Sequence, residues 1–181
     1  MRCFSVVVAV VSMSVAAVIA QKQEVPKPGP EHQRLAAFVG NWTFEGELKQ
    51  GPMGPGGKMT GTDRIEWAPG NFFVQRRYQG KSPNGGEMQG LEILAYDGAK
   101  KIYTFSAFDS LGMMASGTMT VKGNTWTTTG TMTTTAATTM RDRCSLEFGA
   151  GGSTLTIKCD ISTDGKTWTP TFEGTAKKTN R

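Results

Sequence analysis

The sequence predicts an all-β protein, an antiparallel up-and-down barrel of about 8–10 strands with a short N-terminal helix closing one end. About ten short segments rich in Thr, Val, Ile and aromatic residues follow one another after Gly40. Stretches such as "KGNT", "GAGG" and "TDGK" separate them and are typical of hairpin turns. No helical pattern lies between the segments, and closing the sheet would leave no exposed edges, which favours a barrel.

The first element is an apolar leader, "MRCFSVVVAVVSMSVAAVIA", residues 1–20. It carries one charge, Arg2, and ends in small residues before polar Gln21, a pattern that predicts a secretory signal peptide. A retained membrane helix is the alternative, but Ser12 and Ser14 interrupt a stretch that is already short for a bilayer. We therefore expect an exported protein, periplasmic or secreted, with no integral membrane segment once the leader is removed.

The mature chain is mildly basic. Without Arg2, the 20 Lys and Arg side chains become 19 against 15 Asp and Glu, a formal net charge of +4. The basic residues are scattered and form no stripe, so a nucleic acid is not an expected partner. Residues 21–30, "QKQEVPKPGP", predict an extended Pro-rich linker, and residues 31–181 are the length of one barrel domain.

The next element is a short helix within "EHQRLAAFVGNW", residues 31–42. Glu31 suits a helix N-terminus, and Gly40 suits the end of the helix. Leu35, Phe38 and Val39 share one face at helical spacing. A helix of two to three turns is not stable alone, so we expect it to pack on one end of the barrel.

His32 is the only histidine of the chain. A metal or haem site built from several histidines is therefore not expected, and we predict no metal and no cofactor. The position of His32 on the entry helix favours a structural or capping role at the closed end of the barrel. An axial-ligand or proton-transfer role is the alternative.

The two cysteines of the mature chain border a predicted hairpin, "CSLEFGAGGSTLTIKC", residues 144–159. If the turn centres on the two glycines at 151 and 152, Leu146 faces Ile157 and Cys144 faces Cys159. Directly opposed residues of an antiparallel pair are within disulfide reach. Since disulfides persist outside the cytoplasm, we predict a Cys144–Cys159 bond, with two reduced buried thiols as the alternative.

Alternation along the strands predicts one apolar wall that contains two charged side chains, Arg76 and Asp142. An unpaired charge there is costly, so three arrangements stay open. Arg76 pairs with Asp142, or Arg76 binds a ligand carboxylate, or Arg77 points inward instead. The residues that we predict to line a ligand site are Arg76, Tyr78, Met113, Met119 and Asp142.

Four stretches, "EHQRLAAFVGNW", "GLEILAYD", "AFDSLG" and "SGTMTVKGNT", together resemble the domain of unknown function 1579 family, a set of small, often exported bacterial proteins. The matching positions are His32, Leu35, Gly40, Trp42, Tyr96, Asp97, Asp109 and Gly112. The resemblance implies a calycin-like barrel, the group of lipocalins and fatty-acid-binding proteins. It brings no assigned activity.

The same resemblance implies how the barrel closes. In calycins the Trp of the first strand plugs the closed end, and a basic side chain of the last strand packs across its ring. Carried to this sequence, the Trp is Trp42 and the cation is Lys177, with Lys178 as the alternative. The barrel-closing residues are then His32, Leu35, Phe38, Trp42 and Lys177.

Three functions remain open from the sequence. The leading one is a non-enzymatic barrel that binds a small hydrophobic, amphiphilic or carboxylate ligand. The second is a filled barrel that serves as an interaction or structural module of the cell envelope. The third is an enzyme that uses Asp or Arg; Asp97 and Asp109 end two strands and are candidates for acid–base work, although such positions favour turn formation.

Overall fold

A computed structural model describes residues 25–83 and 85–179. The predicted signal peptide, residues 1–20, and the first four residues of the linker lie outside the described residues. Helix α1 (Pro30–Arg34) continues into a 3₁₀ turn (Leu35–Ala37). The strands are β1 (Gly40–Leu48), β2 (Gly57–Trp67), β3 (Phe73–Lys81), β4 (Glu87–Asp97), β5 (Ile102–Asp109), β6 (Met114–Lys122), β7 (Thr125–Thr133), β8 (Thr139–Phe148), β9 (Thr154–Ser162) and β10 (Thr169–Thr179).

These strands form a closed antiparallel barrel in which each strand pairs with its neighbours in sequence and β10 pairs with β1. The predicted fold class is confirmed. Closure follows from a sequence in which every strand is long enough to pair on both sides and the connections are short, the longest being the loop at residues 49–56. The helical segment is shorter than predicted, because the α-helix ends at Arg34 and the rest is a 3₁₀ turn.

The helix and the 3₁₀ turn lie at one end of the barrel, which we call the closed end. The β4–β5, β6–β7 and β8–β9 turns lie at the same end because the strands alternate in direction. The opposite end, which we call the mouth, carries residues 49–56, 110–113 and 134–138. Most of the buried aromatic side chains lie near the closed end and fill the interior there; they include Phe38, Trp42, Tyr103, Trp126 and Phe148.

The β8–β9 hairpin has the register that the sequence predicted. Leu146 lies opposite Ile157, and Cys144 lies opposite Cys159. The two sulfur atoms are bonded, with a Cα–Cα distance of 4.1 Å. The predicted disulfide is confirmed, and it joins neighbouring strands on the wall of the barrel interior.

Candidate functional site

A cavity of about 350 Å³ occupies the barrel interior between the closed end and the mouth. Phe38 and Trp42 form its floor, and Leu48, Met59 and Met88 border it near the mouth. Alternate residues of each strand point inward, and most of these inward residues are apolar, so the cavity wall is mostly apolar. A cavity of this size and character is typical of sites that hold one small molecule.

The floor is a plug made by the 3₁₀ turn and the first strand. Leu35 has no exposed surface, and the Trp42 Nε1–H donates a hydrogen bond of 2.8 Å to the Phe38 carbonyl oxygen. The Phe38 ring meets the Trp126 and Phe148 rings edge-on, with centroids 5.0 and 5.2 Å away. The indole nitrogen is therefore satisfied while its ring seals the barrel.

The cation over the Trp42 ring is Lys178 and not Lys177. Lys178 lies opposite Trp42 in the β1–β10 pair, with its Nζ 5.0 Å from the ring centroid. Lys177 is the next residue and points to the outside, because successive side chains of a strand leave opposite faces. Our choice of Lys177 was therefore wrong, and Lys178 takes its place in the closed-end packing.

His32 lies in the closed end, away from the cavity wall. Its Nδ1 accepts a hydrogen bond of 3.1 Å from the Gly29 backbone N–H, at the start of α1. Its ring packs edge-on against Phe72 and Tyr96. These contacts match the structural and capping role considered for His32.

The charged group of the wall is Arg76 with two carboxylates. Its Nη1 lies 2.9 Å from Glu92 Oε2, and its Nη2 lies 3.1 Å from Asp63 Oδ1. Burial alone would lower the pKa of Arg76, but the charges of Asp63 and Glu92 raise it above its ordinary value. The guanidinium is thus fixed in its charged form between two anions.

This geometry decides between the three arrangements that the sequence left open. Arg76 points inward as predicted, whereas Arg77 is exposed. The partners of Arg76 are Asp63 and Glu92, so the pairing with Asp142 is wrong. The proposal of a free arginine waiting for a ligand carboxylate also loses its basis, because two carboxylates of the protein already occupy the guanidinium.

Tyr78 extends this group along β3. The Arg76 guanidinium carbon lies 4.9 Å from the centroid of the Tyr78 ring. Burial and then the charge of Asp109 raise the pKa of Tyr78 to about 12, so its hydroxyl keeps its proton at physiological pH. Tyr78 is therefore a neutral hydrogen-bonding group on the cavity wall.

Asp142 lies on β8, in another part of the same wall. The residues opposite it on β7 and β9 are Gly130 and Ile161, and neither carries a polar side chain. Its Oδ1 is buried and has no hydrogen-bond donor within the part of the chain that the structure describes. Burial raises the pKa of Asp142, its own backbone N–H partly opposes this rise, and the charge of Glu92 adds to it.

Inward-facing glycines keep several aromatic rings flat against the wall. A Cβ atom built on Gly90 would lie within 2.1 Å of the Tyr78 ring, and one on Gly61 within 2.5 Å of the Phe44 ring. The Phe105 ring lies over Gly117 and Gly130 in the same way. Because the rings lie along neighbouring strands and do not project to the barrel axis, space remains in the middle.

The remaining predicted wall residues differ in depth. Met119 is 1% exposed and packs into the core, whereas Met113 borders the cavity near the mouth. The Cys144–Cys159 disulfide and Thr128 also border the cavity. The five predicted ligand-site residues, namely Arg76, Tyr78, Met113, Met119 and Asp142, thus line the same cavity from different strands of the barrel.

The two strand-end carboxylates do not form an acid–base pair. Asp97 Oδ1 accepts the backbone N–H groups of Ala99 and Lys100 in the β4–β5 turn. Asp109 Oδ1 accepts those of Leu111 and Met113 in the β5–β6 turn. The two turns lie at opposite ends of the barrel, so each carboxylate shapes its own turn.

The sequence interpretation missed Asp63, Glu92 and the glycines beneath the rings. A signal for both carboxylates was present, because Asp63 alternates with Ile65 and Glu92 with Leu94, both inward residues. A charged side chain at such a position predicts a buried partner. Across residues 25–83 and 85–179, no group of three His, Cys, Asp or Glu side chains is placed to hold a metal ion.

Comparison with known proteins agrees with this architecture. Residues 27–178 match the model of the family described as "Protein of unknown function (DUF1579)". The chain belongs to this family. A search of curated proteins finds no match. Among the helices of the described residues, none is long and apolar enough to cross a membrane.

Three solved structures align with this chain at low sequence identity. The crystal structure of Rv2717c from M. tuberculosis aligns with a TM-score of 0.61 and 13% identity over 85% of this chain and 100% of that chain. A de novo designed fluorescence-activating β-barrel aligns with a TM-score of 0.44 and 16% identity over 80% of this chain and 97% of that chain. The structure of EF1p2_mFAP2b bound to DFHBI aligns with a TM-score of 0.43 and 11% identity over 82% of this chain and 98% of that chain. The likeness to Rv2717c shows a shared fold.

Proposed function

We propose that this member of the family is an exported, non-enzymatic barrel that binds one small apolar or amphiphilic molecule in its interior. The observation that supports this most strongly is the cavity of about 350 Å³ above the Trp42 plug. Transfer of an apolar molecule from water into a cavity with apolar walls is favourable by about 25 cal/mol per Å² of buried apolar surface. The polar groups on the wall would orient the molecule.

Two features support export. The leader predicted at residues 1–20 has the charge, apolar run and small-residue end of a signal peptide. The Cys144–Cys159 disulfide belongs to a class that persists mainly outside the cytoplasm. Cell fractionation of the native host tests this proposal, and a full-length protein that keeps its leader and stays in the cytoplasm would contradict it.

Binding can be tested with Nile red, a neutral dye whose fluorescence increases when it leaves water. We expect saturable binding of one dye per chain. Ile157→Trp, on the cavity wall, should abolish the signal because the larger ring occupies the space. Thr156→Trp adds the same ring to the exposed face of β9 and should leave binding unchanged.

A second variant on the cavity wall distinguishes a loss of binding from a loss of folding. Leu155→Phe makes a smaller increase in volume at a neighbouring inward position and should weaken binding while the unfolding transition stays cooperative. If the folded wild-type chain binds no dye, or if both wall variants bind as well as the wild type, the ligand-binding proposal is wrong.

A second candidate is interaction with another envelope protein through the outer surface. Phe108, Leu111 and Met114 are about half exposed, at 49%, 56% and 52%, and lie together at the β5–β6 hairpin. Cross-linking in intact cells would test this candidate, with Leu111→Ser as the variant that should remove the product. Nile red binding should not change in that variant.

A further inference from the structure

We propose that the molecule held in the barrel carries a protonated amine, and that the Asp142 carboxylate receives it. This inference rests on the proposed function, since it names the chemical class of the ligand. It follows from the charges on the cavity wall, from the unpartnered oxygen of Asp142 and from the position of that oxygen opposite apolar neighbours.

The charges on the wall favour a cation over an anion. Of the described residues that line the cavity, Arg76 is the only cation, and Asp63, Glu92 and Asp142 are the acids. Arg76 is bonded to Asp63 and Glu92, so that group alone has one excess negative charge. A ligand carboxylate would place a third anion beside one guanidinium in a poorly solvated space, which is unfavourable.

Asp142 supplies the acceptor that an ammonium group needs. Its Oδ1 is buried without a donor among the described residues, and an ionised carboxylate left in that state is costly. Gly130 and Ile161, directly opposite, cannot donate from a side chain. An ammonium group has three N–H donors and no acceptor, so it would satisfy this oxygen and add the missing positive charge.

The basic surface does not change this preference. The whole chain carries a formal net charge of +5, which would attract anions over long distances. Inside the barrel, however, the nearest charges decide, because exposed surface charges are screened beyond about 10 Å at ordinary ionic strength. The closed-end cation Lys178 is directed to the Trp42 ring and does not line the cavity.

Three molecules with the same eight-carbon chain test the proposal: octylamine, octan-1-ol and octanoate, each titrated against the Nile red complex near neutral pH. We expect octylamine to displace the dye at about tenfold lower concentration than octan-1-ol, which corresponds to about 1.4 kcal/mol. Octanoate should be the weakest of the three. Asp142→Asn should remove the advantage of octylamine and leave octan-1-ol unchanged.

Asp160→Asn is the matched control, because Asp160 is the neighbouring acid on β9 and pairs with Arg143 outside the cavity. It removes the same charge and should preserve the preference for octylamine. The amine proposal is wrong if octanoate binds as tightly as octylamine, or if Asp142→Asn weakens all three molecules equally. If Nile red and octan-1-ol do not bind at all, the ligand-binding proposal itself fails.

Discussion

The closed end and the middle of this barrel are built from the same alternating strands, yet one is filled and the other is hollow. At the closed end, Phe38, Trp42, Tyr103, Trp126 and Phe148 meet at ring-centroid distances of 4.8 to 6.2 Å. Further toward the mouth, the inward positions hold glycines beneath flattened rings and surround a cavity of about 350 Å³. The size and direction of inward side chains, and not the strand pattern, decide which part has space.

The two regions also treat polar atoms differently. At the closed end the Trp42 Nε1–H, the Tyr103 hydroxyl and the Lys178 ammonium each have a partner. In the hollow region Asp142 Oδ1 has none among the described residues. Asp63, Arg76 and Glu92 do satisfy one another in this region, so the unpartnered Asp142 oxygen is the group that the proposed ligand would bind.

The largest expected loss of stability comes from the plug at the closed end, and it tests whether Trp42 contributes more to folding than an exposed residue of the same strand. Trp42→Ala removes a side chain that is 2% exposed, and we expect a loss of about 3–5 kcal/mol in the free energy of unfolding. Urea unfolding followed by circular dichroism measures it. Thr43→Ala, the next residue and an exposed one, should change stability by less than about 0.5 kcal/mol. Similar losses in both variants would show that the plug is not special.

The next effect concerns the hollow region, where a disulfide joins the neighbouring strands β8 and β9 on the cavity wall. The Cys144–Cys159 bond closes a loop with a sequence separation of 15, and replacing both cysteines by serine should cost about 3 kcal/mol. Reductant should lower the stability of the wild type to that of the double variant and leave the double variant unchanged. Equal stability of oxidised wild type and double variant would contradict the prediction.

The sequence alone predicted the strands and the hairpin register, because alternation and turn residues are local signals. It failed for Lys177 because the resemblance implies only a basic residue of the last strand, and two adjacent lysines match that description. Counting from inward Ala176 gives Lys178. The cavity could not be predicted, since ring orientation depends on glycines of neighbouring strands such as Gly61 beneath Phe44.

A smaller effect tests the unpartnered carboxylate. Burial raises the pKa of Asp142 in the folded state, so the folded protein holds this proton more tightly than the unfolded chain. Stability from this group is therefore present below the unfolded pKa of about 4 and is lost as pH rises through the folded value. Asp142→Asn should raise stability by about 1 kcal/mol at neutral pH and by almost nothing in acid.

Thermal unfolding of the wild type and of Asp142→Asn, each followed from neutral to acidic pH, measures the difference in their stability. The other charged groups that line the cavity are Glu92, Asp63 and Arg76, of which Glu92 acts on the Asp142 carboxylate, and the residues opposite Asp142 in the sheet do not titrate. Asp160→Asn, outside the barrel, should not stabilise at neutral pH, because it breaks the Arg143 pair. A pH-independent gain in Asp142→Asn would show that the carboxylate is not held at a raised pKa.

The last effect, of similar size, separates two adjacent lysines at the closed end. Lys178→Ala removes a cation from the Trp42 ring and the aliphatic stem that lies over Gly40, and we expect a loss of about 1 kcal/mol. Lys177→Ala removes an exposed side chain and should change stability by less than about 0.3 kcal/mol. Lys178→Arg should restore most of the loss, because a guanidinium also stacks on an indole. Equal losses for the two alanine variants would mean that the Lys178–Trp42 contact contributes nothing to closure, and that the plug depends on Leu35 and the aromatic rings alone.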